Sequence, residues 1–92
     1  MIKSLMYHKV EDFNTWKAAF DGFLNFRKSA GELSYSVGNL HDQPNTVFVI
    51  NEWKSLEAIQ AFENSAELAN AMKSAGVLER PTTLIFNEVE NG

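Results

Sequence analysis

Val47-Phe48-Val49-Ile50 and, near the far end of the chain, Leu84-Ile85-Phe86 decide the fold. Each run is apolar at consecutive positions, so as a strand it offers apolar side chains to both faces of its sheet. Working outward, residues 1–10, 33–41, 46–53 and 82–89 read as strands, with amphipathic helical stretches after the first and the third. The order is β-α-β-β-α-β. Two helices cover only one face of a four-stranded sheet, so the other face needs a cover, and a second copy of the chain is the simplest one.

Ninety-two residues make one small domain, and 45% hydrophobic with 12% aromatic residues make it globular. Eight basic against twelve acidic residues leave a net charge of −4 with no basic stripe, which argues against nucleic acid as a partner. The chain has no cysteine, which removes disulfides, thiol catalysis and Cys-based zinc sites and fits a reducing compartment. Met1-Ile2-Lys3-Ser4-Leu5 lacks the apolar core of a signal peptide, and no apolar run approaches membrane-spanning length. A cytoplasmic protein without a membrane partner is expected.

Along the first strand Ile2, Met6 and Val10 share one face with Ser4 and His8, and Lys3, Leu5, Tyr7 and Lys9 share the other. Asp12 is placed to cap the helix that follows. Phe13, Trp16, Phe20 and Phe23 recur there at spacings of three, four and three, a sheet-facing stripe of core type, and Gly31 supplies the stop. Asp42-Gln43-Pro44-Asn45 reads as the turn of a hairpin. A four-residue loop there sets Tyr35 opposite Glu52, and a five-residue loop sets it opposite Asn51. Ser55 caps the next helix, with Leu56, Ile59 and Phe62 on one face, and Ser65 restarts it through Leu68, Ala71 and Met72 to Gly76. Pro81 opens the last strand, where a missing donor does least harm.

The first and third strands, expected side by side and parallel, bring their C-terminal ends together and put His8 near Asn51 and Trp53, with Tyr35 and Thr83 toward the same end. A few polar groups on an apolar rim is the composition of a small-ligand pocket. His8 is the candidate general base, and a core histidine satisfied by a neighbour is an equal reading. Asn51, donor and acceptor at once, suits an orienting or oxyanion-holding group, and Trp53 suits a flat wall or a plain core position. His8 and His41 lie too far apart to pair on a metal, and no phosphate loop or nucleophile elbow occurs. Asp21, Glu57, Glu63 and Glu67 read as solvated helix positions.

Several stretches then carry a resemblance: Val10-Glu-Asp12-Phe13-Asn-Thr-Trp16-Lys17-Ala-Ala-Phe20-Asp21, His41-Asp42-Gln-Pro44-Asn45-Thr-Val47-Phe-Val49, Asn51-Glu52-Trp53, Ser65-Ala-Glu67-Leu68 and Ala71-Met72-Lys-Ser-Ala75-Gly76-Val77. In order and spacing the chain resembles the antibiotic biosynthesis monooxygenase-like proteins of the dimeric α/β-barrel superfamily. That implies an α+β, ferredoxin-like protomer with a four-stranded antiparallel sheet. It also implies a homodimer with sheets face to face and a small-molecule pocket between sheet and helices. Members that oxygenate quinol- or porphyrin-like substrates without a metal or flavin use a polar residue ending strand one, a Trp ending strand three and often a His on the second helix. His8 and Trp53 match the first two, and Phe62 stands at the third and makes the pocket more apolar; that no cofactor is needed is what the resemblance implies.

The expected function is binding of a small planar apolar molecule, with cofactor-independent oxygenation or isomerisation as the chemistry. His8 and Asn51 would act in it, and Trp53, Tyr35, Phe62 and Trp16 would hold the substrate. The alternatives are a metabolite-binding or sensing module, and a structural dimer whose aromatics fill the pocket.

Overall fold

The computed structural model describes all 92 residues. In it β1 (Ile2–Lys9) is followed by α1 (Phe13–Gly22), α2 (Leu24–Ala30), β2 (Glu32–Leu40), β3 (Gln43–Trp53), α3 (Leu56–Glu63), α4 (Ala66–Ser74) and β4 (Thr82–Asn87). The capping residues behave as their positions suggest. Asp12 accepts from the Thr15 N–H at 2.9 Å, Ser55 from Ala58 at 3.1 Å and Ser65 from Leu68 at 3.2 Å, each satisfying a donor of a first helical turn.

The first helix, expected to be continuous, is two. Phe23, at φ −93° and ψ 2°, both ends α1 and begins α2, directly after a glycine that weakens the helix. Gly31 closes α2 in the left-handed region at φ 116°. A Cβ there would stand 2.9 Å from Lys54 Cγ and 3.1 Å from Ala58 Cβ, so both backbone and packing demand glycine.

The sheet order is β2-β3-β1-β4, and every neighbouring pair is antiparallel. The expected parallel pairing of β1 and β3 does not occur. The α1–α2 crossover returns β2 in the direction of β1, and the hairpin then sends β3 back between them. His8 therefore pairs with Val47, while Ser4 pairs with Asn51. The hairpin turns at His41 and Asp42, earlier than the expected turn, and the register slips between Asn39 and Leu40. Of the two registers open in sequence, Tyr35 takes the one opposite Asn51.

Alternation sorts the strands into two faces. On the helix side Val10, Val47 and Val49 join Trp16 and Ala75 in one core cluster, and Trp53 joins Ala58 and Ile59 in another. The opposite face carries Leu5, Tyr7, Phe48, Ile50, Leu84 and Phe86, and no helix lies on it; Tyr7, Leu84 and Phe86 are 46%, 54% and 39% exposed. Within α4 no residue is fully buried, and Leu68, Ala71 and Met72 are only half-buried. No helix is long and apolar enough to cross a membrane.

Gly31→Ala should lower the free energy of unfolding by about 1–3 kcal/mol, because alanine must enter the left-handed region against Lys54 and Ala58. Gly22→Ala, with open space at its Cβ, should be neutral or raise stability by up to about 1 kcal/mol. Equal losses in urea titrations of both variants would contradict this account.

Candidate active site

Between the helix side of the sheet and the four helices lies an open cavity of about 640 Å³. It falls within the range of small-molecule pockets, roughly 300–1,000 Å³. Ser4, His8, Asn51 and Trp53 form part of its floor, Trp16, Phe20 and Phe23 one wall, Phe62 another, and Leu68 and Met72 of α4 the outer side. The cavity is thus not filled by the chain's own aromatics. Phe20 and Phe23, expected as core, are half-buried and face it.

Antiparallel pairing separates groups that were expected together. His8 and Ser4 are four residues apart on one strand, about 13 Å at ~3.3 Å per residue, and Asn51 and Trp53 lie at the Ser4 end. All four still line the same cavity, as do Trp16 and Phe62. Tyr35 does not. It is 44% exposed and packs outside the wall, its ring 5.4 Å from Phe20 and 5.1 Å from the Arg27 guanidinium.

His8 is 2% exposed, and no protein group bonds to either Nδ1 or Nε2. Its ring meets Trp16 edge-on at 5.9 Å. Burial lowers its pKa below the usual histidine value, against a smaller upward pull from the Glu79 carboxylate. The ring is therefore neutral near pH 7, with one N–H to give and one lone pair to accept a proton.

The other end holds a continuous polar chain. Trp53 Nε1 donates to Ser4 Oγ at 3.1 Å, Ser4 donates to Asn51 Oδ1 at 3.2 Å, and Asn51 Nδ2 donates to Glu32 Oε2 at 2.6 Å. Arg27 Nε donates to both Glu32 oxygens at 3.1 and 3.2 Å, and its Nη1 donates to the Phe20 carbonyl. Asn51 is thus held from both sides, and Trp53 is fixed by its indole N–H as well as by packing 5.0 Å from Phe62. Arg27 and Glu32 are 2% and 6% exposed. Removing one partner of such a pair typically costs about 3–5 kcal/mol, since the other is left charged in a dry site.

Ser4, Arg27 and Glu32 escaped the reading of the sequence as site residues. One signal was there: Arg27 continues the stripe of Phe13, Trp16, Phe20 and Phe23 by the next four-residue step, and a charge on an apolar stripe must be paired inside.

With this geometry in hand, the chain can be set beside known proteins. The model of the antibiotic biosynthesis monooxygenase family matches residues 5–74. No match is found among curated proteins. A protein from Bordetella bronchiseptica assigned to the antibiotic biosynthesis monooxygenases superposes with a TM-score of 0.83 at 15% identity, over 97% of each chain. SnoaB, a cofactor-independent oxygenase from Streptomyces nogalater, superposes with a TM-score of 0.79 at 12% identity, over 98% of this chain and 94% of its own. A Nitrosomonas europaea protein with the same assignment gives 0.76 at 14% identity, over 98% and 100%. At such identities the structural likeness speaks for the fold alone.

The lowered pKa of His8 carries a stability consequence of definite sign. Between its folded value and the unfolded value of about 6.5 the unfolded chain binds more protons, so stability climbs with pH through that window and levels off above it. His8→Phe should flatten this acid-side slope in thermal unfolding followed from about pH 5 to 8. A slope unchanged in the variant would assign it to another group.

Proposed function

The chain belongs to the antibiotic biosynthesis monooxygenase family, and on that basis we propose that it binds a small, planar, largely apolar molecule in the cavity and acts on it through His8 without a cofactor. The observation that carries this reading is a buried histidine, both nitrogens free of protein partners, on the floor of an open aromatic-lined cavity. A neutral imidazole there can take a proton from an acidic O–H or C–H of the substrate. The electron-rich anion left behind can be reprotonated elsewhere, which is isomerisation, or add dioxygen at its carbon to give a hydroperoxide that loses water to become a carbonyl, which is oxygenation with the substrate itself as reductant. Trp16, Trp53 and Phe62 hold the flat molecule. Asn51, engaged by Ser4 and Glu32, serves as an orienting group in this scheme.

A second reading, binding without turnover, is favoured by Phe62, an apolar side chain at the helix position where the resemblance implies a histidine. A ligand screen by thermal shift on wild type and His8→Ala separates the two. Under the catalytic reading, hits bound by wild type should be consumed, with turnover rising through the lowered His8 pKa to a plateau at neutral pH. His8→Ala should retain binding and lose about 10²–10⁴-fold in turnover. Hits that bind and are never consumed leave the binding module.

The same proposal includes a homodimer joined through the uncovered face of the sheet. Each side chain removed from water there contributes at about 25 cal/mol per Å² of apolar area. In sedimentation equilibrium the wild type should be dimeric at micromolar concentration. Leu84→Lys, placed where the protomer already exposes the residue, should shift it to monomer. A stable wild-type monomer would remove the dimer.

A further inference from the structure

We propose that Arg27 is a ligand-binding residue: its Nη2 donates to an uncharged carbonyl oxygen of the molecule in the cavity, and the Arg27–Glu32 pair selects such compounds over carboxylates. The inference rests on the reading of the cavity as a small-molecule site and adds to it the polar end of the ligand.

An arginine whose task is to neutralise a carboxylate commonly meets it with two nitrogens, one per oxygen. Here both Glu32 oxygens are served by Nε alone, at 3.1 and 3.2 Å, because Asn51 Nδ2 holds Oε2 at 2.6 Å from the other side. Nη1 is engaged by the Phe20 carbonyl. That leaves Nη2, buried and without a protein acceptor, on a side chain that lines the cavity. The guanidinium plane is fixed by its bonds and by the Phe20 ring 3.7 Å beneath it, so the free donor has a set direction.

Charge decides what it takes. Glu32 already neutralises Arg27, and at the mouth Lys73 and Arg80 stand against Glu63 and Glu79. A carboxylate ligand would bring a second negative charge beside Glu32 into a water-poor site, whereas a carbonyl oxygen accepts the bond with no charge to compensate. Geometry adds the orientation. His8, Trp16, Phe20 and Arg27 follow one another at 5.9, 5.2 and 3.7 Å, so an aromatic wall runs between the histidine and the guanidinium. A planar ligand set along this row, beside the Phe20 ring that carries the guanidinium, turns its carbonyl to Arg27 and its other edge toward His8.

Three probes of one shape test this: naphthalene, 2-acetonaphthone and 2-naphthoate, titrated into the protein with Trp16 and Trp53 fluorescence as the signal. Wild type should bind the ketone at least about tenfold tighter than naphthalene, and tighter than the carboxylate. R27M/E32Q, which leaves no unpaired charge, should lose the preference for the ketone over naphthalene, the ratio of the two affinities being the readout. Equal wild-type affinity for ketone and naphthalene overturns the role of Arg27 while leaving the cavity reading intact. So does a preference that survives in the double variant, and tighter binding of naphthoate overturns the selection by charge. Failure of all three to bind wild type overturns the cavity reading and this inference with it. Should the double variant not fold, the wild type decides. Arg27 and Arg80 are the only arginines, and the Arg27 Nη proton resonances should gain exchange protection with the ketone and not with naphthalene. Equal protection counts against the proposal.

Discussion

A guanidinium surrounded by aromatic rings requires a counter-charge, and meeting that requirement binds the protein together. Arg27 on α2 finds Glu32 at the first position of β2, reached through Gly31, the one residue between the two elements and left-handed in its backbone. Glu32 in turn engages Asn51 on β3, which engages Ser4 on β1, which receives the indole N–H of Trp53. One charge thus dictates the placement of side chains on three adjacent strands. Replacing a buried ion pair by apolar residues is often neutral for stability, so the network is better understood as a device of orientation. It holds Trp53 and Asn51 in one pose against the cavity.

Much of this architecture could be read from the sequence because its determinants are local. Asp12, Ser55 and Ser65 cap helices by bonding a backbone group three residues on, a relation visible in any short window. The apolar runs in β3 and β4, the break before Ser65 and the glycine stop at position 31 are of the same kind. The interruption at Phe23 was less visible, since an aromatic residue at helical spacing gives no warning that its own backbone leaves the helix.

The site was harder to read, for reasons that are not local. His8, Trp16, Trp53, Phe62 and Asn51 do line one cavity, yet the direction of β3 relative to β1 decides which of them are neighbours. A strand that leaves a hairpin to lie between two strands running the same way must oppose both. His8 therefore stands apart from Asn51, and the polar groups divide into a lone histidine at one end and a braced network at the other. Arg27 was hidden for a related reason. Its partners arrive from β2 and from the backbone of Phe20, and a charge in a helix is ordinarily solvated.

The outer side of the cavity belongs to α4, a helix with no fully buried residue, anchored through half-buried Leu68, Ala71 and Met72. The sheet beneath it carries the dense valine core and the braced polar chain, so rigidity and looseness sit on opposite sides of the same space. Displacing the loose side breaks few apolar contacts and leaves the floor untouched. Local opening of that one segment then widens an already open cavity, at a cost well short of global unfolding. The rigid floor and the loose wall are separable features, and substitutions along α4 can change how easily the wall opens without disturbing the floor.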